Sequence, residues 1–152
     1  MDKICKNKRS QNMSKVKSFG TKPELIVRKL LFSMGFRYRI NVKKLPGKPD
    51  IVLKKYNVII FVNGCFWHQH KGCSKGTLPK TNKEFWRTKL QNNIVRDKNN
   101  IFKLENDGWK VLVLWECELE DLEEIKSRLL NFIIPDSKDH KEYDRKQQSS
   151  FK

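Results

Sequence analysis

Three side chains able to bind a soft or borderline metal, Cys65, His70 and Cys73, fall within nine residues in the stretch Val62-Asn-Gly-Cys-Phe-Trp-His-Gln-His-Lys-Gly-Cys73. A fourth, Cys117, follows a later apolar run that can return to the same place. Three thiolates and one imidazole form a closed tetrahedral zinc set with no open position, so the spacing predicts a structural zinc site. Ordinary buried thiols are the plain alternative, but the loop contains Gly and little that packs as a core by itself. The spacing leaves open whether His68 or His70 is the ligand. The opening Met1-Asp-Lys-Ile-Cys-Lys6 has no apolar stretch of signal-peptide length. The cysteines are therefore expected to be thiols or metal ligands in a cytoplasmic chain, not a disulfide framework.

A chain of 152 residues fits one domain. Its 38% hydrophobic content suits one modest core and argues against wholesale disorder. The longest apolar run, Val58 to Val62, is far too short to span a bilayer. Lys and Arg number 33 against 17 acidic residues, a formal net charge of +16. Such a charge on a small domain points to a polyanion, and nucleic acid is the default one. Membrane-surface binding lacks the long amphipathic helix with a basic face that it needs.

Residues 1–20 hold Lys3, Lys6, Lys8, Arg9, Lys15 and Lys17 against Asp2 alone, so they are expected to form a basic DNA-contacting arm, disordered when free. The domain proper is expected over 21–134, with 135–152 a charged, frayed tail. Thr21-Lys-Pro-Glu24 reads as a capping box with Pro23 in the first turn, opening a helix that Gly35 closes, with Leu25, Ile26, Leu30 and Met34 on one face. Phe36, Tyr38 and Ile40 alternate with Arg37 and Arg39 as in a half-buried strand. Asp50-Ile-Val-Leu53 and Val58–Val62 read as strands joined through Lys54–Asn57 by a hairpin. Thr81-Asn-Lys-Glu84 is a second capping box, opening a helical region to about Asp107 that is expected to break near Asn92–Asn93. Trp109–Trp115 is a buried strand, and Leu119, Leu122, Ile125, Leu129 and Phe132 mark a last helix. This order predicts an α/β fold with helices covering a central mixed sheet.

Asp50 opens a strand just after Pro46-Gly-Lys-Pro49, where a lone carboxylate is usually a turn residue. The next strand, however, ends beside the Cys/His loop, which brings Asp50 and His68 toward one end of the sheet. A Mg²⁺-holding carboxylate beside an imidazole is a workable phosphodiester-cleaving pair. Phe66 and Trp67 are consecutive, so one face of an element cannot bury both, and at least one is expected exposed to stack on or wedge between bases.

Six motifs occur in order: Arg9-Ser-Gln-Asn-Met13, Thr21-Lys-Pro-Glu24, Leu45-Pro-Gly-Lys-Pro-Asp50, Gly64-Cys-Phe-Trp-His68, Phe85-Trp86 with Arg96-Asp97, and Gly108-Trp109 with Trp115-Glu-Cys117. Over residues 9–119 the chain resembles the very-short-patch-repair mismatch endonucleases. The resemblance implies a restriction-endonuclease-like fold, a variant of the PD-(D/E)-x-K nucleases with a structural zinc. It makes Asp50 the Mg²⁺-binding carboxylate, with the backbone carbonyl of Val62 as a further Mg²⁺ ligand. His68 becomes the general base toward the attacking water, Asp97 its support, and Glu24 a second active-site carboxylate. Cys65, His70, Cys73 and Cys117 become the Zn²⁺ ligands. Met13, Phe66 and Trp67 match positions that wedge into the duplex, Trp86 matches another DNA-contacting aromatic, and Arg9, Lys15 and Lys17 fall in the DNA-contacting arm. Two positions depart from the family pattern. Val62 stands where some members have Thr and supplies no hydroxyl; Asn63 stands where His or Asp can occur and does not titrate.

The function this implies is a Mg²⁺-dependent endonuclease that nicks one DNA strand beside a T·G mismatch left by 5-methylcytosine deamination. The enzyme is expected to be a bacterial cytoplasmic monomer acting on double-stranded DNA, with mismatch-repair proteins as further partners. Mispaired steps unstack more cheaply than paired ones, so side-chain insertion favours them. A small restriction endonuclease of the same fold would instead cut both strands of matched DNA. A zinc-stapled DNA-binding module without catalysis is the rival from another class, and the retained Asp50, His68 and Asp97 argue against it.

Overall fold

The computed structural model describes residues 20–149, and the basic arm with Arg9, Met13, Lys15 and Lys17 lies outside them. Helix α1 (Lys22–Ser33) is followed by strands β1 (Arg39–Ile40), β2 (Ile51–Leu53) and β3 (Val58–Asn63). Then come helix α2 (Lys83–Asn106), strand β4 (Lys110–Trp115), and helices α3 (Leu122–Ile133) and α4 (Ser137–Ser149). The strands form one sheet in the order β1-β2-β3-β4. The first two pairings are antiparallel, whereas β3 and β4 are parallel because the chain crosses over through α2 between them. The expected α/β chain with a mixed sheet is therefore present.

β3 explains why helices cover both faces. Val58, Ile60 and Val62 point into the larger core with Val27, Leu31, Leu114, Ile125 and Leu129. Ile59 packs with Val52 and Leu104 on the other side, where Phe61, Trp109 and Val111 join it. A strand buried on both faces must be apolar throughout, which accounts for the Val58–Val62 run. In α1 the fully buried apolar residues are Val27 and Leu31; of the expected stripe, Ile26 and Leu30 pack partly buried against the same core and Met34 is buried at the helix C-cap, while Leu25 is exposed. The hairpin between β2 and β3 turns through Lys54–Tyr56 and a left-handed Asn57.

Four local expectations are corrected. The alternating strand shortens to Arg39–Ile40, because Phe36 enters the core at the end of α1 instead of lying on a sheet face. Helix α2 runs unbroken through Asn92–Asn93, and the Asn93 side-chain amide donates to the distant Trp67 carbonyl instead of to the helix backbone. Its N-cap residue, one place past the expected Thr81, is a left-handed Asn82 whose side chain makes no cap hydrogen bond, and Glu84 pairs with Arg87 at 2.9 Å. The segment expected to fray contains α4, where Tyr143 stacks on Phe36 at 5.4 Å and Gln147 Nε2 donates to the Met34 carbonyl at 2.6 Å. Among the described residues no helix is long and apolar enough to cross a membrane.

Candidate active site and metal centre

The parallel β3–β4 pairing sets Asn63 opposite Trp115, so Cys65 and Cys117 each lie two residues beyond the same rung. From Gly64 the chain folds back on itself. The His68 N–H donates to the Gly64 carbonyl (3.2 Å) and the His70 N–H to the Cys65 carbonyl (2.9 Å). His70 Nδ1 then stands 3.7 Å from Cys65 Sγ and 3.3 Å from Cys117 Sγ. Its ring stacks on Trp115 at 4.3 Å, 9° from parallel, and Glu116 Oε1 accepts the Cys65 N–H at 3.3 Å. The ligand atoms of Cys65, His70, Cys73 and Cys117 all lie within 4.8 Å of one another.

These spacings fit a zinc ion. Zn–N and Zn–S bonds of about 2.0 and 2.3 Å put a tetrahedral N···S edge at about 3.5 Å, between the two His70–Cys distances of 3.7 and 3.3 Å. Burial pushes the Cys65 thiol up to about 12 and raises Cys117, while the Lys75 backbone N–H lowers Cys73. A bound dication is the partner that would let such buried thiols ionise.

His68 faces away from this cluster. Its Nδ1 lies 2.5 Å from Asp97 Oδ2 on α2, and one turn earlier Asn93 Nδ2 donates to the Trp67 carbonyl at 3.1 Å. One face of α2 thus grips both the backbone and the imidazole of the loop. The Nδ1–H tautomer that this bond selects leaves Nε2 free to accept a proton.

Asp50 enters β2 from the Pro46–Pro49 turn. Gly47 adopts φ +76° there, and a Cβ on it would stand 3.0 Å from Asn100 Nδ2 of α2. Asp50 Oδ2 accepts the Val62 N–H at 2.8 Å. Burial lifts this carboxyl from 3.8 to about 6, against the Val62 N–H; Glu24 raises it further, and His68 and Arg28 pull it down. Asp50, Glu24, His68 and Arg28 therefore share one electrostatic site. Glu24, only 3% exposed, accepts the Gly20 N–H (2.8 Å), the Thr21 hydroxyl (3.3 Å) and Arg28 Nη2 (3.0 Å). It caps the helix and faces the site at once. Two carboxylates beside the Val62 peptide are hard oxygen donors of the kind Mg²⁺ takes.

Phe66, Trp67 and Trp86 meet as one half-buried cluster, with ring centroids 5.1–5.9 Å apart. Neither Phe66 nor Trp67 is fully exposed; the open ring is Phe85, at 59%. Sequence reasoning passed over Arg28, Asn93 and Trp115. Arg28 carried a signal, since it stands one helical turn after Glu24; Asn93 and Trp115 act only through tertiary contacts.

Comparison with known proteins places this arrangement. Residues 1–75 match the family model described as DNA mismatch endonuclease Vsr. Over 138 residues the chain is 49% identical to the type II nicking enzyme V.NmeAIP of Neisseria meningitidis (91% of this chain, 97% of that one). It is 43% identical over 134 residues to V.XorIIP of Xanthomonas oryzae (88% and 98%). It is 38% identical over 122 residues to the DNA mismatch endonuclease Vsr of Escherichia coli K12 (80% and 78%). A chain that spans 78–98% of the length of such relatives, and gathers Cys65, His70, Cys73 and Cys117 where they could hold a metal ion, belongs to the Vsr family of DNA mismatch endonucleases.

Proposed function

We propose that this mismatch endonuclease nicks one strand of double-stranded DNA beside a T·G mismatch in a Mg²⁺-dependent reaction, acting as a monomer on a restriction-endonuclease-like fold. The observation that carries the reading is the His68–Asp97 pair at 2.5 Å in the same electrostatic site as the half-buried Asp50.

Asp50, Glu24 and the Val62 carbonyl are the residues that would hold Mg²⁺, which supplies Lewis acidity toward the phosphate and its leaving oxygen. His68 Nε2 takes the proton of the attacking water as its oxygen bonds to phosphorus and the bond from phosphorus to the leaving oxygen breaks, that oxygen taking its proton from solvent; Asp97 stabilises the imidazolium that forms. Cys65, His70, Cys73 and Cys117 are the residues that would hold a zinc ion, which would staple the loop carrying His68. Phe66 and Trp67, braced against each other and against Trp86, form the wedge with Met13, and Trp86 is a further DNA-contacting aromatic. Arg9, Lys15 and Lys17, on the basic arm over 1–20, contact phosphates, and the endonuclease domain over 21–134 carries α4 docked on its core. The work takes place in the bacterial cytoplasm, with mismatch-repair proteins as further partners.

The test is direct. Labelled T·G and matched duplexes are incubated with the zinc-loaded protein and Mg²⁺. A single nick in the T·G duplex alone is expected; a double-strand cut of matched DNA, or no cleavage, refutes the reading.

A further inference from the structure

Two histidines separated by one residue serve two different centres in this loop. His70 Nδ1 faces Cys65 and Cys117, while His68 Nδ1 faces Asp97. Residues 65–69 form a single turn, in which the His68 N–H donates to the Gly64 carbonyl and the His70 N–H closes back on the Cys65 carbonyl, so the chain has to leave that turn between the two histidines. The residue that does this is Gln69, at φ +52° in the left-handed region that glycine favours and β-branched residues avoid. Its N–H and side-chain Nε2 both donate to the Phe66 carbonyl, at 3.3 and 2.6 Å.

We propose that Gln69 is a positioning residue: its left-handed backbone aims His68 at Asp97 and His70 at the cysteines, so that one dihedral sets both the base and the zinc ligand. The proposal rests on the active-site and zinc assignments above. The backbone conformation carries the effect, and the amide bond to Phe66 steadies it. Gly adopts this conformation freely and Val resists it, so the two substitutions pull in opposite directions.

The experiment compares Gln69→Gly and Gln69→Val in the zinc-loaded full chain. Three quantities are read: kcat and KM on the T·G duplex, zinc affinity by competition with a chromophoric chelator, and the His68 ring tautomer by ¹⁵N NMR. Displacing a reacting group by about an ångström costs on the order of a hundredfold in rate, so Gln69→Val is expected to lower kcat by about that factor without raising KM. It is also expected to weaken zinc binding and to depopulate the Nδ1–H tautomer of His68. Gln69→Gly is expected to restore all three. Should Gln69→Val fail to fold, Gln69→Ala makes the same comparison with a milder bias against φ > 0. Wild-type kcat and tautomer in the Val or Ala variant overturn the proposal, and so does a Gly variant as impaired as Val. A His68→Ala control separates the two claims. If that variant nicks normally, the active-site reading has failed, while the tautomer and zinc affinity still judge Gln69.

Discussion

Replacing Asp50 with Asn is expected to stabilise the protein while abolishing its nicking. Burial holds this carboxyl at about 6, against an ordinary 3.8. At 1.36 kcal/mol per pH unit, keeping the carboxylate charged at pH 8 costs the fold up to about 3 kcal/mol. Partial solvent contact reduces this, and an advantage of about 1–3 kcal/mol is expected for Asp50→Asn, or about 2–4 °C of thermal midpoint per kcal/mol. The variant keeps an oxygen to accept the Val62 N–H. The sign follows from the direction of the displacement. Below pH 3.8 the carboxyl is protonated whether folded or unfolded and the variant gains nothing; the gain grows as pH rises and is complete above about 6. The assay is urea or thermal denaturation of zinc-loaded wild type and variant from pH 4 to 8, without added Mg²⁺ and without chelator. Titrations common to both proteins cancel in the difference. Adding Mg²⁺ at pH 8 is expected to narrow the gap, because the wild-type carboxylate alone gains a partner. A difference that does not vary with pH, or a less stable variant at pH 8, refutes the reasoning.

His68→Ala is expected to slow nicking at least about a hundredfold with zinc content intact, whereas His70→Ala loses zinc and folded protein; metal analysis and circular dichroism of both variants distinguish them. Deleting residues 1–12 removes Lys3, Lys6, Lys8 and Arg9. With about 0.9 of salt slope per phosphate contact, the log–log dependence of binding is expected to flatten by up to about 3.6 on T·G and matched duplexes alike. Trp67→Ala is expected to leave that slope in place and erase the preference for T·G; full retained preference in a binding titration means the cluster is only packing.

The sequence by itself determined the parts made by local chemistry. The apolar run at Val58–Val62, the Thr21–Glu24 helix start and the Lys54–Asn57 hairpin are short-range patterns, and all three appear in the structure. The three cysteines of the group that could hold a metal ion were also legible from side-chain type and spacing, and six ordered motifs were enough to name the family. The choice between His68 and His70 was not, because spacing along a chain says nothing about which way a ring faces. That was decided by the β3–β4 register, which brings Cys117 to His70, and by α2, which brings Asp97 to His68. Asn92–Asn93 looked like a helix break because Asn competes locally for backbone hydrogen bonds. Asn93 instead spends its amide on the Trp67 carbonyl, 26 residues away, and the helix continues. The charged segment near the C-terminus has few apolar residues of its own, yet Tyr143 finds Phe36 across the fold and α4 docks there. In each case the deciding partner is distant in sequence, so its energy enters only once the chain has closed around it.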